Sequence, residues 1–352
     1  MPVVAARPDI ALVSLGTTIG WRRADDALTE MIREAGASCE LVNVRFGPSS
    51  RLRRTMALTD LVEAGAARRA AAGVRADAVI YSSVTAALLQ RPGTPYAVRF
   101  DTVAALNRPG AGGDWQRWRE RPVLAGARLL LPWSEEAAAA AGALTGDRPP
   151  AVVLPPPVEL REAAAARDLD AAAYAGNPDK RGLVLLAEAW SRGAPTGARL
   201  AVGGIERERA VRHLRRAGAA SPAGVEWTGE LPAERWLETV ARARVFVNTS
   251  HYEDFGIAQL EALAAGTPLV MVPSEGPNVA LPLARRLAPE LVAADREAGS
   301  LARAIRAGLE LGEQRRAAYA EEARALLAPY RREVLARVVR EEVVPALLDR
   351  SS

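Results

Sequence analysis

The chain has 352 residues, 49% of them hydrophobic and 25% charged, which is typical of a globular protein with two domains and excludes disordered and fibrous classes. One cysteine and two histidines exclude a disulfide framework and argue against a cysteine or histidine metal centre. The net charge is only +4, the N-terminal apolar run is interrupted by charged residues, and no apolar stretch of about 18 residues follows, so we expect a cytoplasmic protein without a signal peptide or membrane span.

The first half of the chain alternates apolar runs with segments of helical periodicity. In chain order it predicts a strand at 9–15, a turn at 16–20, a helix at 24–35, and strands at 39–44, 78–81, 96–100 and 128–131. Strand–helix–strand order is typical of βαβ units. It therefore predicts a parallel sheet.

A proline-rich segment separates this half from the next. The prolines at 149–150 and 155–157 flank a short apolar run, and three consecutive prolines fit neither a helix nor a central strand. After it, strands are predicted at 172–175, 200–203, 224–227, 245–248 and 268–272, with helices between them and a last helix at 330–348. We expect an α/β protein of two doubly wound, Rossmann-like domains, residues 1–155 and 156–330.

Basic residues are concentrated in the N-terminal half. Residues 1–150 contain 19 arginines and 15 acidic residues, whereas the rest contains 27 basic and 27 acidic residues. A local cluster consists of Arg51, Arg53, Arg54, Arg68, Arg69 and Arg75. Such a cluster is typical of a solvated helix face or of a surface for an anionic partner, with a phosphorylated acceptor and an acidic lipid surface as candidates. The excess is too small to predict a nucleic-acid partner.

The most informative segment is 250–268, SHYEDFGIAQLEALAAGTP, which lies between two predicted strands. Asp254 is a candidate cap for the helix that follows, and a glycine and a proline end that helix. Glu253 precedes the helix and Glu261 lies on it eight positions later. The two carboxylates can therefore contact opposite ends of an extended ligand.

Backbone groups at the start of the same helix suit a negatively charged ligand. The N–H groups of Phe255, Gly256 and Ile257 are placed where a helix N-terminus attracts a phosphate or sugar oxygen. Glycine at 256 permits close approach of that ligand to the backbone.

The segment 253–270, EDFGIAQLEALAAGTPLV, resembles the E-x7-E signature of the retaining, GT-B fold glycosyltransferases of family 4, the glycogen-synthase-like enzymes. Residues 174–183, YAGNPDKRGL, resemble a strand–turn–helix of that family, and residues 227–231, WTGEL, its loop beside the nucleotide base. The resemblance is close over 172–275 and holds only by pattern elsewhere.

The resemblance implies two domains facing across a cleft, a nucleotide-diphosphate sugar as donor, and a last helix, 331–352, packed back on the first domain. It implies transfer to a hydroxyl acceptor (a small molecule, a glycan or a lipid-linked group) with retention and without a metal or cofactor. Lys180, Arg181, Glu253 and Asp101 are the implied catalytic residues. The implied donor-binding residues are Gly16, Gly176, Asn177, Gly229, Asp254, Phe255, Gly256, Ile257 and Glu261.

The roles implied for these residues follow the chemistry. Glu253 would hold hydroxyls of the transferred sugar and Glu261 the ribose. Lys180, the only lysine among 46 basic residues, and Arg181 would stabilise the leaving diphosphate in place of a divalent ion. Asn177 stands where the family has an arginine, and Lys180 is expected to compensate.

The N-terminal half departs further from the family. The family often has a histidine in this domain, and that histidine has no counterpart in this chain. Asp101, at a predicted strand end, is the candidate for its place, with a capping role as an equal alternative. Trp21, Trp115 and Trp118 are candidates to stack on an acceptor ring, although packing is the commoner role of such residues.

Three alternatives remain open from the sequence. A nucleotide-sugar epimerase or phosphorylase could share this architecture, and so could a catalytically silent sugar-nucleotide binding protein. A nicotinamide oxidoreductase is disfavoured because neither half has G-x-G-x-x-G after its first strand. For the leading hypothesis we expect Glu253→Ala to remove turnover and leave the fold intact.

Overall fold

The computed structural model describes residues 7–46, 56–108, 110, 113–146, 148–161 and 167–349, with residues 56 and 57 described by their backbone alone. Contacts divide the chain into two compact units. The N-terminal unit comprises residues 1–157 and 332–352, and the C-terminal unit comprises residues 158–331.

Each unit contains a parallel five-stranded sheet. The N-terminal sheet consists of β1 (Ile10–Ser14), β2 (Cys39–Asn43), β3 (Ala78–Tyr81), β4 (Tyr96–Phe100) and β5 (Leu129–Pro132), in the order β2-β1-β3-β4-β5. The C-terminal sheet consists of β6 (Leu169–Tyr174), β7 (Leu200–Gly203), β8 (Val225–Gly229), β9 (Ala243–Asn248) and β10 (Leu269–Met271), in the order β10-β9-β6-β7-β8.

Helices connect the strands, as parallel strands require. The N-terminal unit has α1 (Ile19–Glu34), α2 (Met56–Ala71), α3 (Val84–Ala87), α4 (Ala104–Asn107), α5 (Asp114–Ala125) and α6 (Glu135–Thr145). The C-terminal unit has α7 (Leu183–Gly193), α8 (Arg207–Arg216), α9 (Ala233–Arg242), α10 (Ile257–Ala264), α11 (Ala280–Leu287), α12 (Ala298–Glu310) and α13 (Glu313–Leu326). The chain then returns to the N-terminal unit with α14 (Arg332–Val338), a π-helical turn (Val339–Val343) and α15 (Val344–Leu348).

The core of the N-terminal unit lies on both faces of its sheet. All five residues of β1 are buried, as expected for a parallel strand covered on both sides. On one face α1 contributes Leu28 and Ile32, and the C-terminal helical segment contributes Leu335 and Val339. The other face is covered by α2, α3, α5 and α6.

The strand order of the C-terminal unit determines where a ligand would bind. The chain begins this sheet at its centre, with β6, proceeds outward to β7 and β8, and then returns to place β9 on the other side of β6. In doubly wound sheets ligands bind beyond the carboxyl ends of the strands at such a switch point. The loops that follow β6 and β9 therefore form the candidate site.

All ten strands predicted from the sequence are present, with differences of a few residues at their ends. The start of the first helix was predicted too late. Residues 19 and 20 belong to α1 and not to the preceding turn, because Thr18 caps the helix and its Oγ1 accepts a hydrogen bond from the backbone N–H of Trp21, at 3.2 Å. The linker was predicted from the prolines at 149–150 and 155–157, and the division between the units falls directly after Pro157.

Candidate functional site

The loop after β6 is folded tightly against the loop after β9. Asn177 Oδ1 accepts a hydrogen bond from the backbone N–H of Lys180 at 3.1 Å, which closes the turn. Gly182, at φ +62°, begins α7, and a Cβ at this position would lie 2.3 Å from the carbonyl oxygen of Thr249. Glycine is required here because both the backbone conformation and the close approach exclude a side chain.

Two ion pairs connect these loops. Arg181 donates through Nη1 to Glu253 Oε2, and Lys180 Nζ lies 2.7 Å from Asp254 Oδ2. The Arg181 and Glu253 side chains are only 20% and 6% exposed, whereas Lys180 is 36% exposed. Each cation predicted to bind phosphate thus has a carboxylate partner. Lys180 is the more accessible of the two.

Glu253 is held by one of its two carboxylate oxygens. Oε2 accepts hydrogen bonds from Arg181, from Ser250 Oγ at 3.3 Å and from Gln259 Nε2 at 2.9 Å. Among the described residues no donor is found for Oε1. The carboxylate is therefore fixed in orientation on one side, and Oε1 is left to accept a hydrogen bond from a ligand.

The start of α10 differs from the sequence prediction. Asp254 does not cap this helix, since its carboxylate pairs with Lys180, and the capping position is Gly256 at φ +100°. A Cβ on Gly256 would lie 3.0 Å from Asn278 Oδ1. The helix begins at Ile257, so its first N–H groups have no acceptor within the helix.

Tyr174, at the end of β6, extends the site toward β7 and β8. Its ring is 37% exposed, and the Arg181 guanidinium lies 5.7 Å from the ring centre. Burial raises the pKa of Tyr174, the Arg181 charge opposes that rise, and the charges of Glu230 and Glu261 add to it. The ring packs against Gly176, where a Cβ would lie 2.6 Å from the tyrosine oxygen.

At the end of β8, Gly229 has φ +65°, and a Cβ there would lie 2.2 Å from the Glu206 carboxylate. Gly176 and Gly229 were both predicted from the sequence. The Tyr174 ring occupies the space beside Gly176, and the left-handed backbone at Gly229 disfavours a side chain there. Phe255 is buried in the C-terminal unit and packs edge-to-face on Tyr330, with ring centres 6.3 Å apart, so its side chain contributes to packing.

Two predicted residues lie in the N-terminal unit. Gly16 follows β1 with φ +54°, and its carbonyl accepts a hydrogen bond from Arg22 Nη1 at 2.8 Å. Asp101 directly follows β4 and is partly exposed. Both residues therefore lie beyond carboxyl ends of strands, where doubly wound sheets bind ligands.

A buried ion pair lies beneath this edge. Asp25 accepts hydrogen bonds from Ser14 and, at 2.9 Å, from Arg99, and both members of the ion pair are 1% exposed. Burial raises the pKa of Asp25 in spite of the neighbouring guanidinium. The Arg99 guanidinium lies 5.0 Å from the Trp133 ring centre, and Trp21 packs on Trp133 at 4.2 Å. Trp21 is thus part of this packed cluster.

The other two tryptophans named from the sequence differ in solvent exposure. Trp115 packs against the N-terminal core. Trp118 is 70% exposed on α5 and is available for contact with another molecule.

The structure brings together six of the predicted site residues through the loops after β6 and β9, namely Asn177, Lys180, Arg181, Glu253, Asp254 and Gly256. It also adds Gln259 and Arg296, which the sequence did not identify. Gln259 is 1% exposed on α10, and a glutamine among otherwise apolar buried positions was an available signal. Arg296 is one of 45 arginines, and nothing in the sequence distinguishes it from the others.

Among the described residues, no group of three or more histidine, cysteine, aspartate or glutamate side chains is arranged to hold a metal ion. None of the helices described has the length and apolar character needed to cross a bilayer.

Comparison with known proteins gives one family match and several structures with the same fold. Residues 172–311 match the model of the family described as glycosyl transferases group 1. The fold is shared with WaaG, a glycosyltransferase involved in lipopolysaccharide biosynthesis, with a TM-score of 0.69 and 15% identity over 96% of this chain and 99% of that one. Sucrose-phosphate synthase from Thermosynechococcus elongatus gives a TM-score of 0.64 and 18% identity, covering 97% of each chain.

A third structure with this fold is a variant of TarM from S. aureus in complex with fondaparinux, alpha-GlcNAc-glycerol and UDP. Its TM-score is 0.53 with 12% identity, covering 77% of this chain and 54% of that one. No curated protein sequence gives a match. At these identities the structural similarities establish the GT-B fold.

Proposed function

We propose that the protein is a retaining glycosyltransferase that moves a sugar from a nucleoside diphosphate to a hydroxyl acceptor without a divalent metal. The observation that carries the proposal is the pairing of Arg181 with Glu253 at the switch point of the C-terminal sheet, with Glu253 Oε1 left without a donor among the described residues. The family match over 172–311 and the shared fold support glycosyl transfer in general. The UDP in the TarM complex supports a nucleotide-linked donor.

The proposed chemistry follows from charge. Cleavage of a glycosyl–phosphate bond places negative charge on the leaving diphosphate and positive charge on the sugar. Lys180, Arg181 and the first N–H groups of α10 are fixed donors for that phosphate, and losing one such group typically costs about 3–4 kcal/mol of transition-state stabilisation. These cations supply the charge that a divalent ion would otherwise provide.

Glu253 is proposed to hold the transferred sugar. Its Oε1 accepts a hydrogen bond from a sugar hydroxyl. The three hydrogen bonds to Oε2 keep the carboxylate in its orientation. Glu261 is proposed to bind the ribose and Gly176 and Gly229 to line the nucleotide, since a side chain is disfavoured at both glycines. Retention follows if the acceptor attacks on the same face that the phosphate leaves and gives its proton to that phosphate.

The N-terminal unit is proposed to contribute Gly16 and Asp101 to sugar and acceptor binding, because both lie beyond carboxyl ends of strands.

The same unit carries a surface suited to anionic lipid, and we propose a peripheral membrane contact there. Leu58 and Leu61 on α2 are 44% and 45% exposed, and Arg68 and Arg69 are exposed further along the helix. The two acids of α2 are buried instead. An exposed helix face with leucines and arginines but no acid complements an anionic bilayer in both polarity and charge.

Asp60 on α2 is buried and pairs with Arg108 at 3.2 Å, so it adds no negative charge to the exposed face. Arg51, Arg53 and Arg54, also predicted as part of the basic cluster, lie outside the described residues.

A panel of donors tests the proposed function. Uridine-, guanosine-, adenosine- and thymidine-diphosphate sugars are added to the purified protein, and the melting temperature is measured with each. One of them is expected to raise the melting temperature and, without acceptor, to release its nucleotide slowly in the presence of EDTA. Stabilisation without any release would favour a silent binding protein, and release that requires a divalent ion would contradict the metal-independent mechanism.

A further inference from the structure

Arg296 lies in the segment before α12, far along the chain from the residues of the candidate site. Its guanidinium donates through Nη1 to the carbonyl oxygens of Ser250 at 2.7 Å and Pro273 at 2.9 Å, and through Nη2 to that of Thr249 at 3.0 Å. Burial lowers the pKa of Arg296, and the nearby Glu275 opposes that change. One side chain thus binds three backbone carbonyls.

These carbonyls belong to the loops after β9 and β10. The same loops are joined by backbone hydrogen bonds, from the Glu253 N–H to the Glu275 carbonyl at 2.9 Å and from the Glu275 N–H to the His251 carbonyl at 3.0 Å. The backbone of Glu253 is therefore placed by the contact between two loops, and Arg296 holds that contact from the other side.

The loop that carries the cations depends on the same segment. Thr249 Oγ1 donates to the Arg181 carbonyl at 2.6 Å, and the His251 N–H donates to the Lys180 carbonyl at 2.9 Å. Since Arg296 binds the carbonyls of residues 249 and 250, its effect reaches both the carboxylate and the two cations.

We infer that Arg296 is a positioning residue for the reaction, which holds the loops after β9 and β10 so that Glu253 and Arg181 keep their relative placement. A guanidinium suits this role because Nη1 bridges the two loops while Nη2 donates to a third carbonyl, that of Thr249, whereas a lysine amine is a single point of contact. The inference rests on the proposed function.

Arg167 provides a matched control in the same unit. Its Nη1 donates to the carbonyl of Ala243 at 2.6 Å, where β9 begins, and its Nη2 to that of Gly266 at 2.9 Å, just before β10. Arg167 thus binds carbonyls at the amino ends of the same two strands whose carboxyl ends Arg296 holds. Both arginines are partly buried, so loss of either leaves carbonyl groups without a donor.

The test compares Arg296→Met with Arg167→Met. Both variants are expected to melt at lower temperature than the wild type. Only Arg296→Met is expected to lose kcat, on the order of 10- to 100-fold, because small displacements of reacting groups have effects of that size. Arg296→Lys, which keeps the charge and one contact, is expected to fold and to have intermediate kcat.

Hydrogen exchange separates this inference from the proposed function. Amides of residues 251–255 and 275–278 are expected to exchange faster in Arg296→Met than in Arg167→Met, whether or not a donor has been found. Wild-type kcat in Arg296→Met or Arg296→Lys, equal loss of kcat in the Arg167 variant, or unchanged exchange in these loops would each overturn the inference. Absence of turnover in the wild type with every donor would instead contradict the proposed function.

Discussion

Glu253→Gln is the sharpest test of the candidate site. The exchange keeps the size of the side chain and replaces one carboxylate oxygen with an NH2 group. Because three donors surround Oε2, the amide is expected to direct its oxygen to them and its NH2 to the position of Oε1. A ligand hydroxyl that donates to Oε1 would then meet a donor.

The expected cost in stability is modest. Hydrogen bonds to charged groups contribute about 1.5–3 kcal/mol and neutral ones about 0.5–1.5 kcal/mol, so loss of the charge costs about 1–2 kcal/mol. Arg181 is 20% exposed and keeps some contact with water, which holds the cost below the roughly 3–5 kcal/mol of breaking a fully buried pair. In a unit of this size that corresponds to a decrease in Tm of about 2–8 °C.

The expected effect on catalysis is larger. Loss of one oriented interaction with the reacting group typically lowers kcat by on the order of 10²- to 10³-fold. Initial rates of transfer and of donor hydrolysis measure kcat, and calorimetry or thermal shift confirms folding. Glu275→Gln is the control, since this exposed carboxylate lies on the neighbouring loop. Near-wild-type kcat in folded Glu253→Gln would refute the role given to Oε1.

The structure changes the expectation for Glu253→Ala. The sequence suggested that this variant would lose turnover with its fold intact. Alanine, however, leaves the donors of Arg181 and Gln259 without their shared acceptor and is expected to cost more than the roughly 1–2 kcal/mol of the glutamine exchange. Loss of activity in that variant alone would therefore not separate catalysis from stability.

Three further predictions follow from other parts of the molecule. Gly256→Ala should destabilise the protein by about 1–3 kcal/mol and weaken donor binding, because φ is +100° there, whereas Gly299→Ala inside α12 should be neutral or stabilising in the same melting and binding assays. Burial raises the pKa of Glu120 from 4.5 to about 7. Between these pH values the folded state therefore binds a proton that the unfolded state has lost. The free energy of unfolding should fall by roughly 3 kcal/mol as the pH rises through this range. Glu120→Gln should flatten that part of the curve of unfolding free energy against pH, and an unchanged slope would contradict the assignment. Arg68→Glu with Arg69→Glu should release the protein from anionic phosphatidylglycerol vesicles in a sedimentation assay, while the exposed pair Arg215→Glu with Arg216→Glu on α8 should not. Equal binding to neutral vesicles, or binding to nucleic acid alone, would contradict the lipid surface.

Much of the fold could be predicted because its signals are local. The strands are short apolar runs such as 10–14 and 78–81, whose residues are buried on both faces of a parallel sheet and so carry no polar alternation. The segment 253–270 was identified because its glycines and carboxylates recur in a known pattern. Where a local signal had competitors, prediction was less accurate: Asp254 was a reasonable helix cap, but its carboxylate pairs with Lys180.

The two α/β units, and the positions of Glu253, Lys180 and Arg181 in loops that follow strands, could be predicted from local patterns. The hydrogen bond from Gln259 to Glu253 was found only in the tertiary structure. The ion-pair partners of the two cations and the contacts of Arg296 with the neighbouring carbonyls depend on packing between distant segments, since these contacts join residues that are far apart along the chain. Arg181 and Glu253 are 72 positions apart, and they meet because β9 lies next to β6, an adjacency that results from the packing of whole strands and that no local periodicity encodes.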